Sequence, residues 1–320
     1  MEHLAYLAVK EWAVLGFSTF SVWQLAVTFA AALAAAQPSP RFRLEPQPKT
    51  AAELAKRFTS VQIDVLEMLN RRDRAHLIRV DPPVPGLIVP VTWVDDPLAY
   101  SPFPAEWPAV ASSSKFLVVH QPLQAFGAYE HGKLVRWGPV STGRKETPTP
   151  DGLFNLTWRA RSRRSTDNED WLLEWYFNFV NARGVSFHLF DLPGYPASHA
   201  CARLLLRDAQ WIYAWGDQWK LDETRRNVTT PGTPVLVMGP YPFGSPPAWL
   251  VLDQAITLPG TPGAPSVPPA AAFSAGRPEG SDRSASPDTR RLSDQTATPA
   301  RSRTYSDRRA PPVRGSTPPR

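Results

Sequence analysis

The sequence predicts a mainly β body with few helices, set between a helical N-terminal extension and a disordered C-terminal tail. Three observations point there. Between residues 115 and 240 the apolar residues come in short runs separated by Gly, Pro and charged turns, as strands do. Helical spacing of apolar residues is visible at only two places. Nearly all of the 12 Trp, 8 Tyr and 15 Phe lie before Leu258, after which large apolar residues almost vanish. A hydrophobic fraction of 42% is enough for a sizeable core.

From the N-terminus, residues 12–36 carry no charge and end in three alanines, so residues 1–36 read as a cleaved signal peptide or an uncleaved membrane anchor. Either places the body outside the cytoplasm, in the periplasm or cell envelope, attached to the inner membrane if the segment is kept. Residues 37–114 read as a Pro-containing linker over 38–50 followed by one helix, whose stripe is Val61, Val65, Met68 and Leu69. A Pro-rich passage follows over 82–108.

The body proper spans 115–240. "KFLVVH" (115–120) is strand-like, and two runs around Glu130-His131-Gly132-Lys133 read as a hairpin. "GLFNLTWRARS" (152–162), "GVSFHLFDL" (184–192) and "GTPVLVMG" (232–239) look extended, whereas Leu205, Ala209, Ile212 and Tyr213 form a second helical stripe. Residues 241–257 close the domain. From 258 to 320 the chain is Pro, Ser, Thr, Ala and Arg, too poor in apolar surface to offset its ordering entropy, which predicts disorder.

The formal charge of +6 is not a nucleic-acid signal, because the tail holds ten arginines against five acids and leaves the body near neutral. No nucleic-acid partner is expected. A single cysteine, Cys201, excludes an intrachain disulfide and leaves a free thiol.

Cys201 lies in "PASHACARL" (196–204), two residues after His199. Only a thiolate is a good nucleophile, so a catalytic cysteine needs a base or a positive field beside it. His188 is a second candidate base; on a strand it shares a face with Ser186 and Phe190, and the Pro/Gly-containing loop that follows can return the chain to it. Three readings stay open on spacing alone: a nucleophile, an inert buried thiol, or a zinc ligand with His188 and His199 that lacks a fourth partner. His76, His120 and His131 read as ordinary surface or strand histidines. The run "RARSRRSTDNEDW" (159–171) reads as a solvated charge run or a loop over a peptide site. Most of Trp171, Trp175, Trp211, Trp215 and Trp219 are expected in the core.

"SHACAR" (198–203) resembles the [S/T]-H-G-C-[I/V]-R signature of the YkuD-type L,D-transpeptidases. Other stretches fall in that family's order: the opening strands with Ser141-Thr142-Gly143, the turn Thr149-Pro150-Asp151-Gly152-Leu153-Phe154, the aromatic run "EWYFNF" (174–179), the helix after the cysteine and the closing strand. The resemblance covers 115–240. It departs at Ala200, where the family has Gly, at Ala202 and Leu189, and at Trp175, where a tyrosine is usual. Alanine at 200 still supplies a backbone N–H, but it is acceptable only if the position does not need a positive φ.

The resemblance implies a β-sandwich with one or two helices and a cysteine acyltransferase without cofactor or metal. Its substrates would be peptidoglycan stem peptides, and a monomer is expected. The thiolate of Cys201 would attack the carbonyl before the terminal D-Ala of a tetrapeptide stem and form a thioester, resolved by an amine; water would make a carboxypeptidase, and a silent peptidoglycan-binding protein is the non-enzymatic alternative. His188 would be the base, oriented by the Leu189 carbonyl, and would hold the thiol pKa below its free value of roughly 8.5. The N–H groups of Ala200 and Cys201 would form the oxyanion hole. Ser198, His199 and Arg203 would shape the loop and hold substrate polar groups, with Arg203 gripping a carboxylate or making a structural ion pair, and Trp175 would line the pocket.

Overall fold

The computed structural model describes residues 41–78, 86–251 and 255–260. The leader or anchor read at 1–36 and the tail from 261 onward lie outside the described residues. Among the described residues no helix is long and apolar enough to cross a membrane.

The body is the expected mainly β sandwich. One sheet has five strands in the order β5-β4-β3-β13-β6, formed by β3 (Phe116–His120), β4 (Ala125–Glu130), β5 (Lys133–Pro139), β6 (Gly152–Asn155) and β13 (Pro234–Met238). The other has four, in the order β10-β9-β8-β7, from β7 (Arg159–Arg164), β8 (Leu172–Val180), β9 (Val185–Leu189) and β10 (Ala202–Leu204). Leu117, Val119, Phe126, Ala128, Val235 and Val237 meet Phe177, Phe179, Val185 and Phe187 between the sheets, with Ala209 and Ile212 of the helix Leu206–Trp215 closing the core. The expected hairpin is present: β4 and β5 pair antiparallel around His131 and Gly132, both at positive φ, the backbone a tight two-residue hairpin turn requires. The single extended run read over 152–162 is two strands, β6 and β7, which belong to different sheets.

Strand β3 is apolar at consecutive positions because both its faces are buried. Leu117 and Val119 face the second sheet, whereas Phe116 and Val118 face a separate core with Val65, Met68, Leu69, Phe103, Trp107, Tyr129, Trp137, Trp249 and Leu258. The N-terminal extension is therefore a third layer on the sandwich. It comprises α1 (Ala51–Arg57) and α2 (Ser60–Leu69), where one helix was expected, and a two-stranded sheet of β1 (Phe42–Glu45) with β2 (Leu87–Pro90). The helix Leu206–Trp215 is α3.

Part of the stretch expected to be linker is thus a paired strand. The prolines on either side, at 38, 40, 46 and 48, gave the stretch the composition of a linker, which hid it. The Thr59–Gln62 capping box fixes the start of α2, so Val61 falls in its first turn on the outer side and is 69% exposed; the buried stripe is Ile63, Val65, Leu66, Met68 and Leu69. The tail also begins later than 258: Leu258 is fully buried, and the Trp107 indole N–H donates to the Pro259 carbonyl at 2.7 Å. A buried indole needs an acceptor, and the chain after 257 supplies it.

Candidate active site

Strands β9 and β10 run parallel with Ala202 opposite Phe187, Arg203 opposite His188 and Leu204 opposite Leu189. Continued by one residue, this register sets Cys201 beside Ser186, with His188 and Arg203 the next pair on the same face. The Ser186 Oγ lies 3.4 Å from the Cys201 Sγ. His188 is buried, and its Nδ1 lies 3.0 Å from the Leu189 carbonyl oxygen. A carbonyl only accepts, so Nδ1 carries the proton and Nε2 keeps its lone pair.

The loop that returns from β9 to the thiol is held on two sides. On one, residues 141–149 run along it: the Ala197 and Ser198 N–H groups donate to the Thr142 carbonyl at 3.0 Å, the Arg144 N–H donates to the Ser198 carbonyl at 3.0 Å, and the Thr149 hydroxyl donates to the Ala200 carbonyl at 2.8 Å. On the other, the N-terminal extension and the closing segment grip it: the Asp73 N–H donates to the Leu192 carbonyl at 3.0 Å, the Leu192 N–H donates to the Asp73 carboxylate at 2.8 Å, and the Trp249 indole donates to the Gly194 carbonyl at 3.1 Å. His76, read from sequence as an ordinary histidine, keeps Asp73 in place through Nδ1 at 2.8 Å from its carboxylate.

Ala200 has φ +73°. The family's glycine is thus replaced at a position that does need a positive φ, contrary to the condition under which alanine is without strain. Alanine occupies the left-handed region at a cost that the surrounding bonds sustain, whereas a β-branched side chain is a genuine outlier there. Ala200→Gly is expected to change stability by less than about 1 kcal/mol, because relief of strain is offset by a floppier unfolded chain and a lost buried methyl, whereas Ala200→Val should cost more than about 2 kcal/mol. Urea unfolding of the two variants against wild type measures the difference. Among the described residues, neither the Ala200 nor the Cys201 N–H donates to another backbone or side-chain group.

Burial governs the electrostatics. It pushes the Cys201 thiol up, with Ser186 hydrogen bonds pulling the other way, Asp167 adding to the rise and Arg203 opposing it. The expected lowered thiol is therefore corrected: burial of the sulfur outweighs the groups that favour its charged form. Burial also lowers His188 from 6.5 to about 4, against the Leu189 bond that raises it, and Arg203 lowers it further. His188 is neutral at pH 7. No metal-binding arrangement of three or more His, Cys, Asp or Glu side chains exists among the described residues.

The other expected site residues divide. Ser198 is 2% exposed and its hydroxyl donates to the Cys201 carbonyl at 2.5 Å, so it holds the loop and is not available to a substrate. His199 is partly exposed, with Nδ1 3.6 Å from the Asp167 carboxylate and its ring against Trp171 at 5.1 Å. The charge run 159–171 thus reaches the thiol loop. Arg203 stacks on Phe190 at 4.4 Å, and its Nη1 is 3.5 Å from the Asp191 carbonyl. Trp175 has φ +54° in a bulge of β8, with Arg161 over its ring at 3.1 Å and Tyr213 edge-on at 5.4 Å. Sequence reasoning missed Ser186 as the sulfur's neighbour and Asp73 as the loop's anchor. The first was readable from strand alternation, since Ser186 shares the His188 face; the second had no local signal.

Residues 114–237 match the family model described as YkuD, L,D-transpeptidase catalytic domain. This bears out the resemblance read from the ordered motifs. None of the curated proteins matches the chain. Among solved structures, an L,D-transpeptidase from Stackebrandtia nassauensis is similar at 22% identity and a TM-score of 0.34, covering 41% of this chain and 58% of its own. One from Mycobacterium smegmatis is 18% identical with a TM-score of 0.32, covering 39% and 59%. One from Mycobacterium tuberculosis H37Rv is 23% identical with a TM-score of 0.32, covering 39% and 58%. The chain therefore spans less than two thirds of the length of each.

Proposed function

We propose that the YkuD catalytic domain at residues 114–237 makes this chain a peptidoglycan L,D-transpeptidase that works through a Cys201 thioester. The observation that carries this reading is the pairing of β9 with β10, which sets the thiol one strand from a histidine whose Nδ1 is engaged by the Leu189 carbonyl. A neutral imidazole with a free Nε2 lone pair is a competent base. His188 takes the thiol proton as sulfur adds to the carbonyl before the terminal D-Ala, and the oxyanion is received by the Ala200 and Cys201 N–H groups. Collapse breaks the peptide bond; His188 returns the proton to the leaving D-Ala amine and a thioester remains. An acceptor amine then loses a proton to His188, attacks the thioester and restores the thiol. Arg203 and the His199 face of the loop are the polar groups placed to meet the stem. The exported, envelope location belongs to the same reading, because the substrate lies outside the cytoplasm.

The test is to incubate the purified protein with tetrapeptide muropeptides and follow both products and intact protein mass. Release of D-Ala together with a cross-linked dimer and a transient acyl adduct on Cys201 is the expected result. D-Ala release without a dimer assigns water as acceptor. No D-Ala release and no acylation by a carbapenem would leave a silent binding protein.

A further inference from the structure

Resting on that reading, we propose that Ser186 is the positioning residue of the Cys201 thiol: its hydroxyl, buried on the strand beside the polar series of Tyr176, Asn178 and Thr157, donates to the sulfur as the thiolate forms. Ser186 is fully buried, and its Oγ is 3.4 Å from the Cys201 Sγ. Behind it stands an ordered series. The Thr157 hydroxyl bonds the Asn178 side-chain oxygen at 2.7 Å, the Asn178 amide donates to the Tyr176 hydroxyl at 3.0 Å, and that hydroxyl donates to the Gly184 carbonyl at 3.1 Å. Asn178 and Ser186 are fully buried and face each other across the β8–β9 ladder.

The direction of these bonds decides what Ser186 can do. The single Tyr176 proton is committed to Gly184, so that hydroxyl has no proton to give elsewhere. In the 3.4 Å contact either the Ser186 hydroxyl or the thiol is able to donate, so at rest the thiol can give its proton to Oγ. Once the sulfur has lost its proton to the base, it can only accept, and rotation about one bond turns the serine O–H to it. A buried thiolate with such a donor is less costly than one without. The other charged groups that bear on the sulfur are Arg203 on β10 and Asp167 on the β7–β8 loop, and the Tyr176 phenol on β8 interacts with it; His188 lies two residues along β9 from Ser186, and His199 sits on the sulfur's own loop against Asp167. All remain in a Ser186 variant.

The experiment is the rate of Cys201 alkylation by iodoacetamide against pH, read by intact mass, which needs no substrate and so stands apart from the transpeptidase assay. Ser186→Ala is expected to move the midpoint up by about one pH unit and to slow alkylation at pH 7 about tenfold. Tyr176→Phe, which leaves the serine but removes the phenol that ends the buried polar series, should move the midpoint by less. A Ser186→Ala protein that is folded by circular dichroism and retains the wild-type profile would overturn the proposal. So would a profile that moves with His188→Gln and not with Ser186→Ala. If Ser186→Ala shifts the profile while wild type releases no D-Ala, the thiol assignment stands and the substrate assignment falls.

Discussion

Cys201→Ala is expected to abolish D-Ala release and acyl-adduct formation, with turnover down by about 10⁶-fold, the scale on which removing a nucleophile acts in hydrolases. The chain has no second thiol to take over. Cys201→Ser should be nearly as inactive: a hydroxyl is a far weaker acid than a thiol, and the burial that already pushes the thiol up opposes an alkoxide still more. Neither change should disturb the fold, since the thiol's polar contacts are with Ser186 and, at 3.9 Å, the Gly184 carbonyl. Circular dichroism and a muropeptide assay on the same preparations make the check. D-Ala release at the wild-type rate in either variant would remove Cys201 from the mechanism.

His188→Gln is expected to lower acylation at pH 7 by about 10²–10⁴-fold, the range of a lost general base. It should also change how stability depends on pH. His188 falls from 6.5 to about 4 in the folded state, so as pH drops below 6.5 the unfolded chain takes up a proton that the folded chain refuses. The stability present above pH 6.5 is lost progressively as pH falls through 4, by about 3 kcal/mol in full for this one group. His120, also lowered to about 4 by burial and by Arg71, contributes with the same sign and remains in the variant. Urea midpoints at pH 7 and pH 5 should therefore separate more in wild type than in His188→Gln. Equal separations would mean that His188 titrates alike in the folded and unfolded chains and that burial does not lower it.

What could be read in advance follows from how local each determinant is. Most strands of the body, the 130–133 hairpin and the 198–203 signature are set by residues adjacent in sequence and were legible, whereas the break between β6 and β7 inside 152–162 depends on which sheet each half joins. The β1 strand was hidden because its pairing with β2 is a long-range choice that a charged, Pro-flanked stretch does not advertise. The burial of Leu258 goes with an indole 152 residues upstream of Pro259 that donates to the Pro259 carbonyl, a partner that local composition does not announce. The thiol's raised pKa depends on how deeply the loop is packed, and composition carries no depth. The Ala200 conformation could be posed from sequence as a question but not answered, since φ is a property of the closed loop.

The Asp73–Leu192 clasp has an evolutionary consequence. The matched segment 114–237 ends short of Trp249 and begins after Asp73, yet both hold the loop that carries the cysteine. The smallest unit that recombination could exchange with its chemistry intact is therefore the matched domain together with both flanks. Selection on the thiol's geometry then extends to Asp73, to the His76 that steadies it and to Trp249, so these positions should drift in concert with the loop rather than with the linker-like sequence around them.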